Sequence, residues 1–163
     1  MIMALHKLLV DDFYDASFSL IAIHCRLEDY RLAYLLNKHL ELNLQRREHD
    51  LDYNYFDASF AIYEWENEKI DSVWNFVSNV CKKEEAALQS SGSLFNQNQA
   101  TVTRTINLLP ELKKVDYLIK VTNEDRHFNE KLILNKIQTI PQVITTYSVD
   151  IDQLKSKEHL IFD

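Results

Sequence analysis

The sequence of 163 residues contains a single glycine, Gly92. Average usage of about 7% would give roughly eleven. Glycine supplies left-handed backbone and close approach to phosphate without steric cost. A dinucleotide fingerprint needs three glycines and a P-loop needs two, so a glycine-lined nucleotide site is excluded. The same scarcity limits turns: the tight primed hairpin turns favour glycine, so hairpins in this chain should use longer loops. Only Pro110 and Pro141 add further punctuation.

Hydrophobic residues are 46% of the chain, enough for a real core, and the length suits one domain. A single domain over 1–163 is expected. Lys plus Arg is 18 and Asp plus Glu is 25, a formal net charge of -7. Such a chain repels nucleic acid and anionic lipid on average. The basic pairs Arg46-Arg47, Lys82-Lys83 and Lys113-Lys114 are short and scattered. They read as solvated loop charges, and no nucleic-acid partner is expected. Cys25 and Cys81 are far apart and sit in apolar runs. They predict two buried, reduced thiols with no zinc site. The opening residues are interrupted by Lys7, Asp11 and Asp12, and no segment reaches the ~20 apolar residues of a membrane span. A cytoplasmic protein without a membrane partner is the expectation.

Residues 7–10 read as a short strand or arm. Residues 16–25 (ASFSLIAIHC) predict a strand with Phe18, Leu20 and Ala22 on one face and Ile21 and Ile23 on the other. Both faces are apolar, which places it centrally in its sheet. Leu32, Leu35, Leu36 and Leu40 repeat at helical spacing, and Glu28 and Asp29 put negative charge in the first turn. A helix over 29–40 is predicted. Residues 45–54 read as a polar connection. Two strands follow, 58–66 and 72–81, joined as a hairpin through Asn67-Glu68-Lys69. Residues 82–100 are rich in Lys, Glu, Ser, Asn and Gln and predict an exposed loop. Residues 101–106 and 115–122 are strand-like. A second helix is predicted over 125–139, with Phe128, Leu132, Ile133 and Ile137 as its apolar stripe and Pro141 closing it. Residues 142–149 form the last strand. Residues 150–163 make a charged tail whose Leu160, Ile161 and Phe162 should dock on the domain or on a partner.

This order argues for an α+β fold, an antiparallel sheet with both helices on one face. A ferredoxin-like or ACT-like split β-α-β arrangement with extra strands is the expected form. Its sheet would keep one open face, with Tyr63, Trp65, Trp74 and Tyr117 near it. An aromatic open face suits a dimer interface.

Leu109 to Tyr117 reads Leu-Pro-Glu-Leu-Lys-Lys-Val-Asp-Tyr. This resembles the signature of the IPExxxVDY family of the Bacteroidota, with Leu109 in place of the leading isoleucine. Leu27-Glu28-Asp29-Tyr30-Arg31-Leu32-Ala33-Tyr34 and Leu160-Ile161-Phe162 also look like that family. The resemblance implies a bacterial cytoplasmic protein and carries no activity to transfer. The motif positions Pro110, Glu111, Val115, Asp116 and Tyr117 have a physical reading of their own. Pro110 fixes φ and pushes Leu109 into extended geometry. Glu111 can brace a turn. Val115 and Tyr117 should share one strand face, with Asp116 and Leu118 on the other. Asp116 needs a hydrogen-bond partner. The motif is either a structural brace or a binding site.

Candidates for catalysis are few. His24 and Cys25 are adjacent on a strand and point to opposite faces. Glu64, Glu66 and Glu68 alternate and could present three carboxylates to a divalent cation, but a solvated hairpin end explains them as well. Asp150 and Asp152 read the same way. The six histidines show no H-x-x-x-H spacing, and no G-x-S-x-G nucleophile motif occurs. The expected function is a non-catalytic interaction or adaptor module without a cofactor, a homodimer or a partner of another cytoplasmic protein. An ACT-like small-molecule sensor is the alternative.

Overall fold

The computed structural model describes residues 18–53, 57–86, 101–123 and 128–162. It is a mixed α/β fold built on one six-stranded, fully antiparallel sheet. The strands of the chain are β1 (Phe18–Cys25), β2 (Gln45–Arg46), β3 (Leu51–Tyr53), β4 (Ala58–Phe60), β5 (Ile62–Asn67), β6 (Ser72–Ser78), β7 (Val80–Ala86), β8 (Thr101–Asn107), β9 (Tyr117–Asn123) and β10 (Val143–Ser148). The helices are α1 (Asp29–Leu40) and α2 (Glu130–Gln138). The sheet order is β10-β1-β9-β6-β5-β2, and β3-β4 and β7-β8 form two separate ribbons.

β1 has a neighbour on each side, as its two apolar faces require. Ile21, Ile23 and Cys25 face the helices, where they join Trp74, Phe76, Tyr117, Ile119 and Val121 of the sheet. Leu32, Ala33, Leu36 and Leu40 of α1 and Ile137 of α2 close this layer. Both helices therefore lie on one face. Asn129 caps α2 by accepting the Leu132 N–H at 3.1 Å. The described helix begins at Glu130, later than the sequence stripe suggested, and residues 124–127 lie outside the described set.

The expected open face does not exist. Leu20, Ala22, Val77 and Leu118 point away from the helices and are covered by β3-β4, by the segment from Leu108 to Val115, and by the C-terminal tail. Tyr63, Trp74 and Tyr117 lie on the helix side and are buried, and Trp65 packs half-buried beside them. These aromatics are core, because the pleat of β5, β6 and β9 aims them under α1 and α2.

Other boundaries also shift. The polar stretch 45–54 contains β2 and β3. The run 58–66 breaks at Ala61 into β4 and β5, and the run 72–81 breaks at Asn79 into β6 and β7. β7 continues through Ala86 and pairs with β8, so Lys82 to Glu85 are strand and not loop. The remainder of the proposed exposed loop, 87–100, and the proposed strand 7–10 lie outside the described residues. The β5-β6 hairpin has a four-residue connection, 68–71, in which Asp71 takes φ 49°. Glu41 (φ 56°) and Asp57 (φ 49°) are likewise left-handed. At these three turns acidic side chains occupy backbone that glycine would ordinarily take.

Candidate functional site

The geometry of the motif begins at Asn79. Its side chain is fully buried where β6 ends. The amide Nδ2 donates to the Leu112 and Val115 carbonyls, each at 2.9 Å, and Oδ1 accepts the Leu109 N–H at 2.8 Å. Its backbone N–H donates to the Asp116 carbonyl and its carbonyl accepts the Leu108 N–H, both at 2.9 Å. One asparagine thus pins both ends of the motif loop to the sheet. Pro110 starts a short 3-10 turn, Pro110–Leu112, and Leu109 before it is extended at φ -110°, ψ 100°. That is the geometry a following proline imposes.

The loop then delivers three polar groups. Asp116 Oδ2 accepts the Cys25 N–H at 2.9 Å, at the end of β1. The Tyr117 hydroxyl donates to the Leu27 carbonyl at 2.6 Å, just before α1. Burial is the main force raising the Tyr117 phenol well above its ordinary range, with nearby Asp29 adding to it. The Glu111 carboxylate accepts the Lys155 N–H (3.0 Å), the Ser156 N–H (3.2 Å) and the Ser156 hydroxyl (2.6 Å). Partial burial alone would raise the Glu111 carboxyl, but these donors outweigh it and hold it below its ordinary value.

Val115 and Tyr117 do not share a face. Val115 joins the tail-side cluster and Tyr117 the helix-side cluster. The strand begins only at Tyr117, so period-two alternation does not extend back to Val115.

The tail is the motif's other partner. Leu154 and Leu160 are buried against Leu20 and Leu118, and Phe162 packs on the same cluster. Ile161 is half-buried. His159 is buried, and its Nδ1 lies 2.7 Å from the Leu108 carbonyl. A carbonyl only accepts, so Nδ1 carries the proton. Lys120 Nζ donates to the Leu160 carbonyl at 2.7 Å and sits over the Phe18 and Phe162 rings at 4.9 and 5.2 Å. Arg47 reaches the Phe162 carbonyl at 3.4 Å while gripping Glu64 at 3.0 and 3.1 Å. Leu160, Ile161 and Phe162 therefore dock on their own domain, which removes them as a free interface.

Beside Asp116 and Tyr117 lies an open hollow of about 590 Å³ that also meets Cys25, Arg26 and Lys82. Arg26 and Lys82 are exposed, and neither forms an ion pair among the described residues. Cys25 is a free thiol that donates to the Gln142 carbonyl at 3.4 Å. Burial pushes its pKa up, the backbone at Leu27 opposes this and Asp116 adds to it, so the protonated form prevails. Cys81 is also free and half-buried, on the tail side of the sheet. Glu64 is used by Arg47, and no group of three metal-ligating side chains occurs among the described residues.

A second hollow, about 510 Å³, opens on α1 between Leu27, Tyr30, Arg31, Tyr34, Leu35 and Gln142. Tyr30 and Tyr34 are 58% and 66% exposed. In the sequence both tyrosines stand within the stretch Leu27 to Tyr34 that resembles the family. Their spacing on α1 sets them opposite the buried Leu32 and Leu36, which is the sequence signal for an outward pair. Asn79 carries a fainter signal, a lone amide inside an apolar run. No helix among the described residues is long and apolar enough to cross a membrane. Comparison with family models, curated proteins and solved structures finds no match.

Proposed function

We propose that this chain is a non-catalytic protein-interaction module of the bacterial cytoplasm, acting without a cofactor, and a member of the IPExxxVDY family. The observation that carries the reading is the Tyr30–Tyr34 surface. Two tyrosines at i and i+4 stand side by side on α1, flanked by Leu27, Leu35 and Arg31. Aromatic residues and arginine around an apolar hollow are the composition of interface hot spots. The motif fits the structural-brace reading, since Asn79, Glu111, Asp116 and Tyr117 each bond backbone groups of the same chain. The order β10-β1-β9-β6 supports a ferredoxin-like split β-α-β core, widened at one edge by β5 and β2. In the test, wild type and the double variant Tyr30→Ala/Tyr34→Ala are affinity-purified from the native cell. The variant should keep its melting temperature and lose the proteins that accompany the wild type. Identical recoveries would sink the proposal.

The hollow beside Asp116 favours a second reading, an ACT-like small-molecule sensor. Two cations, Arg26 and Lys82, border it in an otherwise acidic chain. A metabolite that raises the melting temperature of wild type, and does so no longer in Arg26→Ala, would select this reading.

A further inference from the structure

β10 forms one edge of the main sheet and pairs, among the described residues, only with β1. Val149 donates its N–H to the Leu20 carbonyl. Backbone alternation along the strand then turns the amide and carbonyl of Thr146 and Ser148 off the edge. Such a row of unpaired groups is a template for another strand. Natural edges are guarded by lysine, proline, inward charge, bulges or brevity. β10 has no lysine, proline or charge over its six residues, Val-Ile-Thr-Thr-Tyr-Ser; its one irregularity, at Ile144 where the register to β1 shifts, leaves the Thr146 to Ser148 stretch regular. The opposite edge is guarded. β2 is two residues long, and its Arg46 is tied to Asp50 at 3.0 Å and lies 3.6 Å from Asp29.

We infer that two copies of this chain pair their β10 edges antiparallel across a two-fold axis, joining two sheets into one. Charge decides for a second copy over a charged peptide. The chain carries 25 acidic residues, yet β10 holds no charged side chain, so two copies meet there without opposing carboxylates. An antiparallel edge is also its own hydrogen-bonding complement under a two-fold. Apolar exposure gathers at the same place. Ile144 and Tyr147 on β10 are 60% and 40% exposed, and Leu132 on α2, which packs on β10, is 47% exposed.

The area sets the strength. Six strand residues span about 20 Å, and a strand plus one helix is about 15 Å wide. That strip is on the order of 300 Å² per copy, well below the ~800 Å² per partner of a standard interface. The dimer is therefore reversible and concentration-dependent. Sedimentation velocity of the full chain from about 5 to about 500 µM should show a monomer–dimer exchange in the micromolar range. Hydrogen exchange should slow at Thr146 and Ser148 as concentration rises. Ile144→Lys places a cation on the exposed edge and should abolish the dimer at an unchanged melting temperature. Ile70→Lys, at a site on the β5-β6 turn that is 50% exposed, should leave it intact. A monomer throughout the range overturns the inference, whether the edge is then bare or covered by residues 1–17. So does a dimer that Ile144→Lys leaves as strong as wild type, or one without concentration-dependent protection at Thr146 and Ser148.

Discussion

Asn79→Ala removes three side-chain hydrogen bonds while leaving the two backbone bonds of residue 79 in place. The losses are unequal. The Leu109 N–H lies in a residue with no exposed surface, so it becomes a buried donor without a partner. That costs about 1–3 kcal/mol. The Val115 carbonyl, also buried, loses its Asn79 donor, and the Leu112 carbonyl is left to the Val115 N–H. Under-satisfied carbonyls cost less than orphaned N–H groups. Together the change should destabilise the fold by about 3–4 kcal/mol, a large part of the roughly 5–15 kcal/mol that holds such a domain. At about 2–4 °C per kcal/mol for a chain of this size, the melting temperature should fall by roughly 10 °C. Urea unfolding followed by circular dichroism measures the free energy, and differential scanning calorimetry the midpoint. A loss below about 1 kcal/mol would mean that water or a relaxed loop replaces the amide, and the pin assigned to Asn79 would be wrong.

Asp116→Ala orphans the Cys25 N–H and should lower stability by about 1–2 kcal/mol in the same urea assay. Tyr117→Ala removes a ring packed 5.1 Å from Phe76 together with the bond to Leu27, and should cost about 3–5 kcal/mol. An unchanged melting temperature in both variants would return the motif to a binding role. The Glu111 carboxyl is held below its ordinary value of 4.5 in the fold. Its contribution is therefore full above 4.5 and fades as pH falls through the lower folded value. Proteolysis at the tail should quicken over that acid window, and Glu111→Gln should show quick cleavage at neutral pH with little further change on acidification. Glu41→Gly relieves a left-handed residue at the end of α1, and should stabilise the protein by about 0.5–1 kcal/mol in thermal melts.

What the sequence disclosed followed period. β1 and α1 were readable because Leu, Ile and Phe repeat at strand and helix spacing over eight and twelve residues. The hairpin between β5 and β6 needed a long connection for want of glycine, and it has one. What stayed hidden was where a run leaves its sheet. Ser72 to Cys81 is apolar on both sides of Asn79, so composition does not mark the point at which β6 ends and β7 departs to pair with β8. The break is set by distant carbonyls, at Leu112, Val115 and Asp116, that only the folded chain brings to one amide.

The same limit explains the misplaced interface. Aromatic content shows that large rings need burial, but not which layer buries them. Tyr63, Trp74 and Tyr117 looked available only while the second face of the sheet lacked a cover. That cover comes from chain with no regular period: the Leu108 to Val115 loop and the tail from Leu154 to Phe162. Each needs the other. Leu108 gives its carbonyl to His159, and Glu111 holds the backbone of Lys155 and Ser156. The motif and the terminal Leu160-Ile161-Phe162, separated by about forty residues of sequence, are thus two halves of one layer. Both serve the far face of the sheet, which leaves the outward side of α1 and the edge of β10 as the surfaces where described apolar side chains still meet solvent in groups.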